Sequence, residues 1–138
     1  GGVMLKPYVV DATLDSDGEV LEVTRGSREW LQPISRPTAE IMNTLMQGVA
    51  REGTASCCIA LSSGLQVAAK TGTAQLNGPG EPERSNAWIV AYAPADAPRY
   101  AVAVVILGTS QEISASTGGR LAGPIAKRML DLAIAREL

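Results

Sequence analysis

Four consecutive residues in the middle of the chain, Lys70, Thr71, Gly72 and Thr73, could carry chemistry. The ammonium of Lys70 and the hydroxyls of Thr71 and Thr73 can hold an anion such as a carboxylate. Gly72 has no Cβ, so a ligand backbone can approach the chain closely there. If these residues form a sheet edge, their N–H groups can pair with an extended peptide or stabilise a developing oxyanion. The four residues therefore suit a peptide that ends in a carboxylate.

An alternating segment leads into these residues. Gly64 to Gln75 reads GLQVAAKTGTAQ, which predicts a strand. The two predicted faces are Leu65, Val67 and Ala69 on one side, and Gln66, Ala68 and Lys70 on the other. Gly72 has the same parity as Lys70. We therefore expect both residues to face a cleft if the strand borders one.

The remaining elements predict an α+β fold, in which an antiparallel sheet packs against helices. The other predicted strands are Met4–Ala12, Glu19–Thr24, Asn86–Ala93 and Arg99–Leu107. One helix is predicted between Ser35 and Gly53, and a second over Gly119–Leu138.

The connections and helix faces are also predictable. A turn at Asp15–Gly18 predicts a hairpin. Leu76–Ser85 is a Gly/Pro-rich loop, and we expect its Glu81, Glu83 and Arg84 on a solvated surface. The apolar residues at helical spacing are Ile41, Met42, Leu45, Met46 and Val49 in the first helix, whose methionines we expect in the core, and Leu121, Ile125, Met129 and Leu132 on one face of the second.

Composition restricts the class of protein. The chain has 138 residues, 46% of them hydrophobic, which is enough for one globular core. Its net charge is −2 and its basic residues are scattered, so no nucleic-acid partner is expected. It contains no histidine, which excludes imidazole catalysis and most zinc sites. No metal and no cofactor is expected.

The two cysteines, Cys57 and Cys58, are adjacent. They are too few and too close for a disulfide framework or a C-x-x-C site. We expect them to be small buried apolar side chains rather than a strained disulfide between neighbours or a bridge to another segment.

Two other interpretations of the Lys-Thr-Gly-Thr segment stay open from the residues alone. The lysine could simply be a solvated charge at the end of a strand, followed by a turn. A degenerate phosphate loop, G-x-x-x-x-G-K-[ST], fits Gly64 and Lys70, but Ala69 stands where the second glycine is required. A phosphate loop also lies between a strand and a helix, whereas a Pro/Gly loop follows here.

Beyond these four residues, the chain resembles the class B penicillin-binding proteins, and within them the PbpA-like enzymes of actinobacteria. K-T-G is one of the signature motifs of penicillin-binding proteins, and KTGTA followed by AWIVAYAP is far more specific. The segments that carry the resemblance are GGVMLKPYVV, PISRPTAEIMNTLMQGVAREGTA, VAAKTGTAQ, NAWIVAYAP, AVAVVIL and STGGRLAGPIAKRML, which together span nearly the whole chain. The resemblance implies that residues 1–138 are the C-terminal portion of a transpeptidase domain.

This resemblance implies a peptidoglycan D,D-transpeptidase, a serine enzyme that cross-links stem peptides ending in D-Ala-D-Ala and is acylated by β-lactam antibiotics. Lys70 would hold the substrate carboxylate and tune protons in the site. The Thr71 and Thr73 hydroxyls would hydrogen-bond that carboxylate, and the Thr73 N–H would be an oxyanion donor. Gly72 would keep the strand edge clear. A β-lactam sensor domain and a β-lactamase-like protein are alternatives within the same resemblance.

The other two signature motifs, S-x-x-K and S-x-N, do not occur in the chain. The residues three before each lysine are Val3, Val67 and Pro124, and those two before each asparagine are Ile41, Gln75 and Arg84. We therefore expect the serine nucleophile upstream of Gly1, and expect this chain alone to be inactive. The remainder of its own transpeptidase domain is then a partner. By the same resemblance, the protein acts outside the cytoplasm, anchored in the membrane by an N-terminal segment not present in these residues.

Overall fold

The computed structural model describes residues 1–23 and 29–136, which divide into two compact units, Gly1–Ile41 and Met42–Leu138. In chain order the elements are β1 (Met4–Leu5), β2 (Ala12–Leu14), β3 (Val20–Val23), β4 (Glu29–Leu31), α1 (Arg36–Arg51), β5 (Ala68–Gln75), β6 (Ser85–Ala93), β7 (Tyr100–Ile106), α2 (Gln111–Ser114) and α3 (Gly118–Ala135). Over the described residues, none of the helices combines the length and the apolar character that a membrane span requires.

The first unit contains two small antiparallel sheets, β1 with β4 and β2 with β3. The predicted hairpin is confirmed, and its turn is held by Asp15, whose carboxylate accepts from the N–H groups of Asp17 and Glu19 at 2.9 Å each. The prediction of one strand over residues 4–12 is wrong, because β1 ends at Leu5 and β2 begins only at Ala12. Pro7 has no N–H to donate to a sheet, which explains the interruption. Thr24 of the predicted return strand lies outside the described residues.

The second unit confirms the predicted antiparallel sheet packed against a helix. Its strand order is β5-β6-β7, both pairs are antiparallel, and α3 packs against this sheet. The core lies between α3 and one face of the sheet. Its buried members are Ala55, Ile59, Leu61, Val67, Ala69, Ile89, Ala91, Ala93, Val102, Ala122, Ala126 and Leu130. Helix α2, which was not predicted, is a single turn capped by the Ser110 side chain.

Helix α3 packs against the sheet mainly through its small residues, and not through the face that carries its larger apolar side chains. The buried positions are Gly118, Gly119, Ala122, Gly123, Ala126 and Leu130. The apolar face singled out in the sequence does form one stripe, but Ile125 and Met129 on it are 43% and 51% exposed. Small residues let the helix backbone approach the sheet closely, so Ile125 and Met129 point outward, while Leu130 is the large side chain of α3 that is buried.

Helix α1 begins and ends as predicted. The Ser35 hydroxyl accepts from the Thr38 N–H at 3.3 Å, and the Gly53 N–H donates to the Gly48 carbonyl at 3.1 Å beyond the last helical turn. The expectation that its methionines are core residues is wrong for Met42, which is 47% exposed. Val49 near the end of the helix does pack against the core.

A polar cluster of Ser62, Lys127 and Asp131 ties the segment before β5 to α3. The Asp131 carboxylate accepts from the Ser62 N–H at 2.9 Å and from its hydroxyl at 3.0 Å, and it forms an ion pair with Lys127 at 2.5 Å. The hydrogen bond from Lys127, with those from Ser62, holds the pKa of Asp131 below its usual value, although burial opposes the shift.

We expect Asp131→Asn to reduce the free energy of unfolding by about 1–2 kcal/mol at neutral pH. Because the carboxyl has a lower pKa in the folded state than in the unfolded state, its stabilisation is complete above the unfolded pKa and is lost as the pH falls through the folded pKa. Urea unfolding of both proteins at about pH 7 and about pH 3 measures this. The exposed Asp96, replaced by asparagine, is the control. A difference between wild type and Asp131→Asn that does not change with pH would contradict the assignment.

Candidate functional site

The predicted site residues lie on β5, the outer strand of the three-stranded sheet. The prediction of a strand over Gly64–Gln75 is right at its end and wrong at its start, because β5 begins only at Ala68 and Gly64 adopts a φ of +76°, outside the extended region. In the described part of the chain only β6 pairs with this strand, so the other edge of β5 is open. The pairing continues past the strand, where the Leu76 N–H donates to the Arg84 carbonyl at 2.8 Å. Hydrogen-bonded pairs alternate along an antiparallel ladder. In this register, the N–H and C=O groups of Thr71 and Thr73 therefore point to the open edge.

Lys70 and Gly72 share the sheet face opposite α3, as their parity predicted. Lys70 lies across from Val90, and Gly72 lies across from Trp88. A Cβ at Gly72 would be 3.4 Å from the Trp88 Cβ. Because glycine has no side chain, the backbone of β5 is uncovered at this position of the face. Lys70 is exposed, and its Nζ donates to the Thr71 carbonyl at 2.5 Å. Within the described residues the ammonium makes no ion pair, which leaves its charge available at the edge.

Thr71 and Thr73 share the other face of β5, and their hydroxyls have different surroundings. Thr73 is exposed. Thr71 is half-buried, and its hydroxyl is hydrogen-bonded to the Thr54 hydroxyl at 2.5 Å. No motif or spacing singles out Thr54, which lies 17 residues before Thr71. The structure therefore brings the four predicted residues to one open edge and adds Thr54, a fourth polar side chain beside those of Lys70, Thr71 and Thr73.

The first turn of α3 holds this part of β5 in place through two glycines. A Cβ at Gly118 would lie 2.1 Å from the Trp88 carbonyl oxygen and 2.9 Å from that of Gly72. A Cβ at Gly119 would lie 2.0 Å from the carbonyl oxygen of Thr54. Real Cβ atoms do not approach backbone this closely. The glycine pair therefore permits a contact between the helix, β5 and Thr54 that no other residue type allows.

The expectation for the cysteines is wrong. Cys57 and Cys58 form a disulfide between neighbours, and Cys57 is exposed while Cys58 is half-buried. Both cysteines lie outside the core, in the turn over residues 54–58, and their sulfur atoms are bonded to each other.

The loop after β5 is polar, as predicted, and Glu81 and Glu83 are exposed. Arg84 is not purely solvated, because its Nε donates to the Gly108 carbonyl at 3.2 Å. β5 runs through this loop into β6 rather than into a helix. A phosphate loop needs a helix N-terminus directly after the lysine, so this connection argues against the nucleotide-binding interpretation.

The chain belongs to the family described as the penicillin-binding protein transpeptidase domain, which matches residues 1–131. It is 33% identical over 137 residues to the peptidoglycan D,D-transpeptidase PbpA of Mycobacterium tuberculosis, covering 99% of this chain and 27% of that protein. The PbpA of Mycolicibacterium smegmatis is 32% identical, over 96% of this chain and 26% of that protein.

Solved structures agree with this assignment. The ceftriaxone acyl-enzyme complex of penicillin-binding protein A from M. tuberculosis matches with a TM-score of 0.79 and 30% identity, over 96% of this chain and 29% of that one. The penicillin G acyl-enzyme complex of the same protein matches with a TM-score of 0.76 at 30% identity, over 96% of this chain and 28% of that one. The chain thus spans about a quarter of the length of the curated relatives it matches.

Proposed function

We propose that residues 1–138 are the C-terminal portion of the transpeptidase domain of a peptidoglycan D,D-transpeptidase. The observation that carries the proposal is the open edge of β5, which displays Lys70 and the backbone of Thr71 and Thr73 in a chain that belongs to this family. The substrate is a stem peptide ending in D-Ala-D-Ala. A serine oxygen attacks the carbonyl of the penultimate D-Ala, the terminal D-Ala leaves, and an amine of a neighbouring stem then displaces the serine.

The open edge of β5 serves this reaction in four ways. Lys70 attracts the terminal carboxylate of the substrate, and the hydroxyls of Thr71 and Thr73 donate hydrogen bonds to it. The Thr73 N–H, which points to the open edge, donates to the oxyanion of the tetrahedral intermediate in this proposal. Gly72 lets the substrate backbone lie against the strand. Lys70 also helps to set the protonation of groups around the serine.

The serine nucleophile and its partner residues belong to the segment of the protein that precedes Gly1, since S-x-x-K and S-x-N do not occur in these residues. That segment also covers the apolar face that surrounds Lys70, where Trp88 and Val90 are 40% and 44% exposed. Apolar patches of this kind are typical of surfaces that pack against another part of a protein. The assembled domain acts outside the cytoplasmic membrane, to which an N-terminal segment anchors it.

β-Lactam antibiotics are the second class of ligand. The similar M. tuberculosis protein forms acyl-enzymes with ceftriaxone and penicillin G. A β-lactam carries a carboxylate and a reactive carbonyl in an arrangement close to that of the terminal dipeptide. The same open edge of β5 would bind both ligands, so acylation by a penicillin reports on the site.

We expect the complete transpeptidase domain to form a covalent adduct with a fluorescent penicillin, and the 138-residue chain alone to form none. Gel fluorescence and intact mass measure the adduct. Labelling of the isolated chain would contradict the placement of the serine, and an unlabelled complete domain would contradict the function. Turnover of a D-Ala-D-Ala peptide distinguishes a transpeptidase from a β-lactam sensor, and rapid hydrolysis of the adduct would instead indicate a β-lactamase.

A further inference from the structure

Thr54, in the connection between α1 and β5, reaches the side chain of Thr71. The two hydroxyl oxygens are 2.5 Å apart, and either can be the donor. We propose that Thr54 is a positioning residue for substrate binding, which orients the Thr71 hydroxyl so that its proton points to the ligand carboxylate. This inference rests on the transpeptidase function proposed above, and it assigns part of carboxylate recognition to a residue outside the Lys-Thr-Gly-Thr segment.

The protons of the two hydroxyls decide whether Thr71 can donate to a ligand. Each hydroxyl has one proton to donate and two lone pairs that accept. When Thr54 donates to Thr71, the Thr71 proton is free to donate to an anion, and the first hydrogen bond polarises the second. When Thr71 donates to Thr54 instead, no proton of Thr71 remains for the ligand. A bound carboxylate therefore selects the arrangement in which Thr54 donates.

The backbone around Thr54 fixes its distance from β5. The Thr54 carbonyl contacts Gly119 of α3 so closely that a Cβ at position 119 would lie 2.0 Å from it. A Cβ at the neighbouring Gly118 would lie 2.1 Å from the Trp88 carbonyl oxygen and 2.9 Å from that of Gly72. The first turn of α3 thus contacts Thr54 and also β5, the strand that carries Thr71. Ala55, the residue after Thr54, is fully buried in the core, which limits movement of this segment further.

The test uses the complete transpeptidase domain and the rate constant of acylation by a fluorescent penicillin. Thr54→Val keeps the shape of the side chain and removes the hydroxyl, and we expect it to lower this rate constant by about tenfold. Thr54→Ser keeps the hydroxyl and should remain within about twofold of wild type. Ser62→Ala is the matched control, because it removes a structural hydroxyl from the same connection between α1 and β5. It should lower the midpoint of thermal unfolding without slowing acylation.

A double-mutant cycle separates positioning from a general structural effect. If Thr54 acts through Thr71, Thr54→Val should add little to the loss caused by Thr71→Val. Losses that multiply, or a Thr54→Val domain that is acylated at the wild-type rate, would overturn this inference alone. If Thr54→Val does not fold, Thr54→Ala takes its place in the same cycle. A wild-type domain that forms no adduct would overturn the proposed function, and this inference with it.

Discussion

Alanine at Gly118 or Gly119 is expected to destabilise the complete transpeptidase domain by about 3 kcal/mol or more, the upper range for an overpacked core. The added Cβ atoms would lie 2.1 Å from the Trp88 carbonyl oxygen and 2.0 Å from the Thr54 carbonyl oxygen. Those atoms belong to the backbone, so they cannot move aside as the end of a flexible side chain would. The helix must shift away from the sheet, and core contacts along α3 are lost with it. Thermal and urea unfolding measure the loss.

Gly48 is a matched control within the same chain. It also lies inside a helix, α1, but a Cβ there would meet nothing within 4 Å. Alanine at this position should be neutral or stabilising by up to about 1 kcal/mol, because alanine has the higher helix propensity. Similar unfolding midpoints for the alanine variants at positions 48, 118 and 119 would show that α3 does not approach the strands as closely as described.

Lys70→Met is expected to reduce acylation of the complete domain by about a hundredfold or more, the loss typical of removing one electrostatic contact to the reacting groups. Methionine keeps the length and the apolar stem of the side chain and removes the charge. Because Lys70 is exposed and makes no ion pair within the described residues, its neutralisation leaves no buried charge unpaired. Folding should therefore be retained while acylation is lost.

The control for Lys70→Met is Lys127→Met. Lys127 forms an ion pair with Asp131 on α3, so its loss should affect stability rather than chemistry. Stopped-flow acylation and thermal unfolding, measured on both variants, should show opposite patterns. A Lys70→Met domain that is acylated as fast as wild type would remove Lys70 from the site. Lys70→Arg, which keeps the charge on a bulkier group, should lie between wild type and Lys70→Met.

The strand that carries the site was predictable because alternation is a local property. Lys70 and Gly72 face away from α3 as their parity required, and the neighbouring strands were found within one residue of their observed ends. The buried face of α3 was not predictable in the same way. The periodicity of large apolar residues predicted that the face of Ile125 and Met129 would be buried. The close approach of the helix to the sheet instead requires glycine and alanine at the contact.

The role of Thr54 and the state of the two cysteines were not predictable from the sequence, because both depend on tertiary contacts. Thr54 reaches Thr71 only because a turn and a glycine contact place them together, and nothing in the spacing of two threonines signals this. The cysteine pair is a similar case, because the spacing of two adjacent cysteines does not indicate whether they lie in the core or in an exposed turn. Conversely, the hairpin turn at Asp15 was readable, because its hydrogen bonds lie within five consecutive residues.

The unpaired side of β5 has a consequence for how the protein must be handled and stored. Any extended chain can add to such an edge, including the same strand of a second molecule, which is how many β-proteins begin to aggregate. A lysine in the middle of an edge strand opposes this pairing, since two such strands would bring like charges together. The cation at position 70 thus has a second physical effect, and solutions of its neutral variants should be checked for fibrils before any loss of labelling is interpreted.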